Sequence, residues 1–184
     1  MAIITDLRLD LTSYCNEGCN FCPFHGIDRL IQKGDYIDVV NYLRMASDLH
    51  TAGIHPRVRL VGSGEPTVYP YFTELVEHFK SQEHELKLIT NGQQLTRLHD
   101  IVARNIDSII ISVHGNKETH DLLTDKPGSY ELILEGISAI RNVNLYKDIT
   151  LHFVITPQNY TQMMEHAATA TKLNTNARFQ HLVF

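Results

Sequence analysis

Strand and helix patterns alternate along the whole 184-residue chain, and this alternation constrains its fold more than any other feature. Short runs of apolar and β-branched residues predict six strands, at residues 4–12, 57–62, 85–90, 107–113, 149–155 and 177–183. Apolar residues at helical spacing predict five main helices between them, at residues 35–53, 71–81, 95–104, 130–142 and 159–172. Strands joined by crossover helices in this way predict a parallel sheet with right-handed connections.

The length of the chain limits how far this sheet can close. An eight-stranded β/α barrel typically takes about 250 residues, so 184 residues can form only part of one. We therefore predict one α/β domain over residues 1–184, folded as an open, six-stranded, partial parallel β/α barrel. A flat, doubly wound sheet is the alternative that the same pattern permits.

The predicted strands carry polar side chains on one face and apolar side chains on the other. Parallel strands that are covered on both faces are nearly continuous apolar runs, so the polar face predicts a water-filled or ligand-filled concave side. The alternative is an interior in which Arg8, Asp10 and Arg59 pair their charges. The residues that we expect to line the concave side are Arg8, Asp10, Arg59, Ser112, His114 and His152.

All three cysteines of the chain, Cys15, Cys19 and Cys22, lie within one short run. Three thiolates can hold three corners of a four-iron, four-sulfur cluster, and without the usual fourth cysteine one iron would be open to another ligand. An open coordination position is typical of catalytic metal sites. The alternative is a zinc site made by these cysteines and His25, whereas an odd number of cysteines argues against disulfides.

The composition is that of a soluble globular protein, with 43% hydrophobic and 20% charged residues. A net charge of −5 argues against non-specific nucleic-acid binding through phosphate neutralisation. The sequence has no apolar stretch long enough to predict a membrane span. Together with the free thiols, these features predict a reducing, cytoplasmic location.

The cysteine run, C-N-E-G-C-N-F-C from Cys15 to Cys22, resembles the C-x3-C-x2-C signature of the radical S-adenosylmethionine (SAM) enzymes, including the aromatic Phe21. The G-S-G-E-P turn at residues 62–66 is similar to the Gly-Gly-Glu motif of that family, with Ser63 where many members have glycine. The resemblance implies a [4Fe–4S] cluster whose open iron binds the amino and carboxylate groups of SAM. It also implies reductive cleavage of SAM to methionine and a 5′-deoxyadenosyl radical, and a partial barrel as the core fold.

The same resemblance implies roles for individual residues. The T-N-G segment at residues 90–92 and the S-V-H-G segment at residues 112–115 are similar to family segments that approach the ribose or the carboxylate of SAM. The implied cluster ligands are Cys15, Cys19 and Cys22; the implied cofactor-binding residues are Phe21, Gly64, Glu65, Asn91, Ser112 and His114; and the side chains that would face the substrate are Arg8, Asp10, Arg59 and His152.

Some of these segments have a second interpretation. The Asn91-Gly92 pair is also an ordinary turn signal. After the fourth strand we expect a short helix and a turn before the main helix, with His120 as a structural residue on the surface of that segment. The fifth strand lacks the glycine-rich, adenine-contacting motif of some family members, and Asn159 is either an adenine contact or a helix N-cap.

We therefore predict a radical SAM enzyme that abstracts hydrogen from a polar small molecule, a nucleotide or a peptide. The alternatives are an activating enzyme that installs a glycyl radical on a partner protein, and a non-catalytic subunit that binds zinc or an iron–sulfur cluster. The enzyme would need a reductant such as flavodoxin or ferredoxin, and the chain has no spare cysteine for an auxiliary cluster. The apolar end at residues 182–184 predicts a homodimer or a partner subunit that covers the last strand.

Overall fold

The structure, a computed structural model, describes residues 4–26 and 35–181. Within them six strands form one sheet in the order of the sequence, and every neighbouring pair is parallel. A doubly wound sheet reverses its strand order at a switch point, so the flat alternative is wrong and the open partial barrel is confirmed. The strands are β1 (Asp6–Asp10), β2 (Arg57–Val61), β3 (Leu86–Thr90), β4 (Ser108–Ser112), β5 (Asp148–Ile155) and β6 (Asn176–His181).

Helices connect the strands along the chain, and the short helix that the sequence predicts after the fourth strand is present. None of the helices in the described ranges is long and apolar enough to cross a membrane. The helices are α1 (Val39–Thr51), α2 (Phe72–Ser81), α3 (Leu95–Asn105), α4 (Lys117–Thr124), α5 (Ser129–Val143) and α6 (Met163–Lys172), with short 3-10 turns at Pro66–Val68 and Tyr160–Gln162.

Several element boundaries differ from the prediction: β1 is shorter than residues 4–12, and both α1 and α6 begin later than predicted. Helix α1 begins at Val39 rather than near residue 35, because the Asp38 carboxylate accepts a hydrogen bond from the N–H of Val40 (3.0 Å) and caps the helix. The carbonyl of Asp35 instead accepts a hydrogen bond from the N–H of Ser13 (2.8 Å), which ties this segment to the end of β1. The last strand is described only to His181, so the predicted apolar end lies outside the described residues.

The two faces of the sheet differ as the strand alternation predicts. Leu60, Leu88, Ile111 and Leu151 point towards the helices and are fully buried in the main core. Burial of each such side chain contributes about 1.5–3 kcal/mol relative to leaving it exposed. On the opposite, concave face Arg8 is exposed and Ser112 and His152 are partly exposed, whereas His114 is buried.

The charges on the concave face do not form the closed triad that the sequence allows. Arg59 donates to the Asp6 carboxylate at 2.7 Å, and both side chains are more than one-third exposed. Asp10 accepts a hydrogen bond from the N–H of Ser63 at 3.1 Å. Because Arg59 pairs with Asp6 and both side chains are exposed to solvent, the predicted charge-paired interior is wrong. An exposed pair of this kind contributes little to stability, and the concave face is an open, polar surface.

Candidate active site

A cleft of about 320 Å³ opens at the carboxyl ends of the strands, where β/α barrels carry their active sites. Arg8, Asp10 and Arg59 lie outside its lining, on the concave face of β1 and β2. The other predicted site residues all line the cleft: Cys15, Cys19, Phe21, Cys22, Gly64, Glu65, Asn91, Ser112, His114 and His152.

The cysteine run is held in place mainly by backbone hydrogen bonds to the end of α4. The N–H of Gly18 donates to the carbonyl of Thr124 (3.0 Å), and the N–H of Asn20 donates to the carbonyl of Leu123 (2.9 Å). All three cysteines are free thiols. The run is therefore a fixed loop that presents three potential metal ligands to the cleft.

The turn after β2 packs directly against the start of the cysteine run. The N–H of Gly64 donates to the carbonyl of Thr12 (3.0 Å), and the N–H of Glu65 donates to the carbonyl of Tyr14 (2.7 Å). A Cβ atom at position 64 would lie 2.1 Å from the carbonyl oxygen of Tyr14, closer than real Cβ contacts. Contacts with the backbone after β1 therefore require glycine at position 64. The close approach of the turn to that backbone brings Glu65 next to Cys15.

The Glu65 carboxylate is buried and accepts hydrogen bonds from the chain at both oxygens. Its Oε1 accepts from the N–H and the hydroxyl of Thr67 (3.0 and 2.6 Å) and from the hydroxyl of Thr90 (2.6 Å). Its Oε2 accepts only from the N–H of Asn91 (2.7 Å). Burial raises the pKa of Glu65, although these four donors oppose the shift. Oε2 keeps acceptor capacity for a further donor in the cleft.

Asn91 joins the end of β3 to the cysteine run as well as forming a turn. Its amide Nδ2 donates to Oδ1 of Asn16 (2.8 Å) and lies 4.0 Å from Sγ of Cys15. The next residue, Gly92, has the positive φ of 84° that a tight turn requires. The segment is therefore a turn, and the turn places the amide that contacts the cysteine run.

His114 is a buried, neutral imidazole at the floor of the cleft. Its Nδ1 accepts a hydrogen bond from the N–H of Val154 (3.2 Å), which leaves the ring proton on Nε2. Burial lowers its pKa well below 6.5, with nearby histidines acting in the same direction. The ring of Phe21 packs edge-on against it, with ring centroids 4.9 Å apart. His114 can therefore act as a hydrogen-bond donor and not as a cation.

Asn159 has a structural role in the described chain. Its amide donates to the carbonyls of His114 (3.0 Å) and Val154 (2.8 Å), and its Oδ1 accepts from the N–H of Thr156 (2.7 Å). The side chain caps no helix. These contacts cross-link the ends of β4 and β5 beneath the cleft.

A buried polar chain behind the cysteine run was missed by the sequence analysis. The Ser129 hydroxyl donates to Glu17 (2.8 Å) and lies 2.9 Å from Nε2 of His120, while Nδ1 of His120 accepts from the N–H of His114 (3.1 Å). His120 is fully buried, so its predicted surface position is wrong. The sequence signal that could have indicated this polar chain was Glu17, an acidic residue within the cysteine run.

Burial also affects the acids of this site in the metal-free chain. It raises the pKa of Cys15 to about 12 and raises that of Cys19 further, because a thiolate would lose its hydration there. It raises the pKa of Glu17 to about 7. A bound metal supplies the positive charge that such thiolates need, so Cys15 and Cys19 fit metal ligands better than they fit free thiolates.

The donor set fits a cluster with one open iron. His25, the fourth ligand of the zinc alternative, has its Nε2 3.0 Å from the carbonyl oxygen of Ser63. Its backbone N–H points to Sγ of Cys22 at 3.4 Å. The first contact holds the His25 ring against the turn after β2 and the second holds its backbone against Cys22, while Cys15, Cys19 and Cys22 supply three sulfur ligands to the cleft.

Comparison with known sequences gives one family and several relatives. The model of the radical SAM superfamily matches residues 9–170. A probable GTP 3′,8-cyclase of Thermococcus kodakarensis is 36% identical over 138 residues, which are 73% of this chain and 43% of the relative. The GTP 3′,8-cyclase of Haemophilus ducreyi is 31% identical over 157 residues, which are 84% of this chain and 45% of the relative. The chain thus spans less than half the length of these relatives.

Comparison with solved structures supports the fold. Streptococcus suis SuiB bound to S-adenosylmethionine superposes with a TM-score of 0.79 at 18% identity, covering 99% of this chain and 41% of SuiB. The structure of anSMEcpe with bound AdoMet gives a TM-score of 0.74 at 16% identity, covering 98% of this chain and 52% of that protein. At these identities the likeness establishes a common partial-barrel fold.

Proposed function

The chain belongs to the radical SAM superfamily, and we propose that it is a radical SAM enzyme in which Cys15, Cys19 and Cys22 hold a [4Fe–4S] cluster beside a SAM-binding cleft. When both cofactors are bound, the reduced cluster would supply an electron to SAM. Cleavage of a carbon–sulfur bond of SAM would then give methionine and a 5′-deoxyadenosyl radical. The observation that carries the proposal is the convergence of the three free thiols, Glu65 and Asn91 on one cleft.

The lining residues have distinct tasks in this proposal. Oε2 of Glu65 accepts a hydrogen bond from the ammonium group of SAM, because it has fewer hydrogen-bond donors than Oε1 in the described residues. Nε2–H of His114 donates towards the cleft, and Ser112 adds a hydroxyl at the end of β4. Phe21 packs over His114 and excludes water from the region beside the cluster.

The substrate that we propose carries phosphate or carboxylate groups. Arg8, Lys87 and Arg178 belong to strands of the concave face, and none has an ion pair within the described parts of the chain. His152 pairs with Arg178 across β5 and β6. A face whose cations lack ion-pair partners in the described residues favours a polar anion.

A nucleotide is the first substrate to examine, because the relatives named above are GTP 3′,8-cyclases. The proposal also includes an electron donor such as flavodoxin or ferredoxin, and a reducing cytoplasm that protects the cluster. Every residue of β6 is exposed. We propose that a second copy or a partner subunit covers that strand, since an uncovered edge invites pairing.

The experiment is an anaerobic assay of 5′-deoxyadenosine formation from SAM, with iron–sulfide-reconstituted protein and dithionite. We expect slow product formation by the wild-type protein, faster formation with GTP or another anionic substrate, and none with Cys22→Ala. If fully iron-loaded wild-type protein gives no more product than Cys22→Ala under every condition, the proposal is wrong. If product forms but GTP does not increase its rate, the nucleotide assignment alone is wrong.

A further inference from the structure

Three side chains that commonly bind metals meet at the end of the barrel opposite the cleft. His50 lies in the last turn of α1, His55 comes just before β2, and Glu83 lies in the turn between α2 and β3. One ring nitrogen of each histidine and one carboxylate oxygen of Glu83 lie within 4.8 Å of one another. All three residues are exposed, so their side chains are free to adjust.

Both histidines of this group face the same backbone acceptor. Nδ1 of His50 lies 3.2 Å from the carbonyl oxygen of Gln82, and Nδ1 of His55 lies 3.3 Å from the same atom. A ring that donates Nδ1–H to a carbonyl keeps an unprotonated Nε2. Metal-binding histidines usually have their other ring nitrogen fixed in this way by a carbonyl or a carboxylate.

The backbone at Glu83 has an unusual conformation for this residue type. Its φ of 65° is left-handed, at the position after a helix where glycine is the common residue. A side chain in that conformation is disfavoured relative to the right-handed form. The conformation places a carboxylate, which glycine would lack, beside the two histidines.

A third imidazole lies directly beneath this group. His84 is completely buried, its ring centroid lies 5.7 Å from that of His55, and neither ring nitrogen has a hydrogen bond of normal geometry in the described residues. A buried imidazole without a well-formed hydrogen bond is costly, and a metal-bound water would supply a partner.

We propose that His50, His55 and Glu83 form a second metal site, for Zn²⁺ or a similar first-row divalent ion. Two imidazoles and one carboxylate are a known zinc ligand set that leaves a position for water. Zinc bonds of about 2.0–2.2 Å bring tetrahedral ligands to about 3.4 Å from one another, so the side chains must close by about an ångström. The bound ion would fasten the end of α1 and the turn before β3 to the start of β2.

The test uses the anaerobic, cluster-loaded protein, in which iron already occupies the three cysteines, and follows Zn²⁺ binding by calorimetry. We expect one Zn²⁺ per chain and, for His50→Ala/His55→Ala, binding at least about tenfold weaker. His99→Ala is the matched control, because its Nδ1 also faces a backbone carbonyl, that of Thr96 at 2.8 Å, but it belongs to no such cluster in the described chain.

A second arm removes the thiols and so does not depend on cluster loading. In the Cys15→Ala/Cys19→Ala/Cys22→Ala protein, Zn²⁺ should raise the melting temperature by mass action. Adding His50→Ala/His55→Ala to that protein should abolish the increase. The proposal is overturned if wild-type protein binds no Zn²⁺, or if the histidine variants bind it as tightly and gain as much thermal stability.

Discussion

At the scale of single residues, Glu17 connects the cysteine run to the first turn of α5. Its carboxylate accepts from the Ser129 hydroxyl (2.8 Å), and Sγ of Cys19 lies 3.6 Å from its other oxygen. The carboxylate also lies near the amino end of a helix, where a negative charge is favoured. Glu17 therefore positions the cysteines through Ser129 and α5, in addition to its contact with Cys19.

Glu17→Ala should destabilise the metal-free protein. It leaves the buried Ser129–His120 pair without its acceptor, and an unsatisfied buried group of this kind costs about 1–3 kcal/mol. The free energy of unfolding, measured by urea denaturation, should fall by that amount. Glu77→Ala, an exposed acid on α2, is the control and should stay within about 0.5 kcal/mol of wild type. Equal stability of the two variants would contradict this role of Glu17.

The buried His120 makes stability depend on pH. Burial lowers its pKa to about 4 from 6.5, so the folded state favours the neutral ring. The free energy of unfolding is unaffected by this group above pH 6.5 and falls by about 3 kcal/mol as the pH drops from 6.5 towards 4. The reason is that the unfolded chain binds a proton at His120 in this range and the folded chain does not. Urea denaturation across this range should show a smaller loss for His120→Gln than for wild type, whereas His99→Gln should follow wild type. Parallel pH profiles for wild type and His120→Gln would refute the assignment.

At the scale of elements, the turn after β2 and the cysteine run behave as one unit. The hydrogen bonds of Gly64 and Glu65 to the segment after β1 continue the parallel pairing of the first two strands. Two sequence motifs separated by about forty residues are joined by this pairing. Their geometry therefore depends on backbone contacts rather than on the side chains of the motifs alone.

Gly64→Ala should disrupt this unit. Its Cβ would lie 2.1 Å from the carbonyl oxygen of Tyr14 and 2.6 Å from that of Thr12, and backbone atoms cannot move aside easily. We expect a loss of about 1–3 kcal/mol in unfolding free energy, as for other overpacked sites, together with weaker retention of iron after reconstitution. Gly18→Ala is the control, since its Cβ meets only the flexible Asp125 side chain at 3.4 Å. A Gly64→Ala protein as stable as Gly18→Ala would contradict the assignment.

The elements could be predicted because their signals are local. Apolar periodicity identifies strands such as β4 and helices such as α3 to within one residue. The start of α1 was missed because the carbonyl of Asp35 accepts a hydrogen bond from Ser13 across the fold, and Asp38 caps the helix instead. Contacts across the fold, such as Glu17 with Ser129 at a separation of 112 residues, have no local signal.

At the scale of the whole molecule, the described sheet has a cleft at one end, a histidine–glutamate cluster at the other and a charged concave face. The cleft lies at the carboxyl ends of the strands, and the histidine–glutamate cluster lies at the amino ends. The polar face could be predicted because parallel strands that are covered on both faces are nearly continuous apolar runs, whereas these strands alternate between polar and apolar residues. Its ion pairing could not, because Asp6 rather than Asp10 reaches Arg59 in the folded chain.

The free cations of the concave face should control the affinity for an anionic substrate. Arg178→Gln removes a charge beside His152, and loss of one charge-assisted hydrogen bond of about 1.5–3 kcal/mol corresponds to a rise in KM of about tenfold or more. Lys172→Gln, an exposed residue of α6, is the matched control. The readout is substrate-stimulated 5′-deoxyadenosine formation at varied substrate concentration. An unchanged KM in Arg178→Gln would remove Arg178 from the substrate site.

The most direct test of the central claim is the electron paramagnetic resonance spectrum of the reduced, reconstituted protein before and after SAM is added. We predict about four irons and four sulfides per chain, a reduced-cluster signal that changes when SAM binds the open iron, and no such cluster in Cys22→Ala. A fully loaded cluster whose spectrum is unaffected by SAM would contradict the open-iron site. Zinc in place of iron at the three cysteines would contradict the account as a whole.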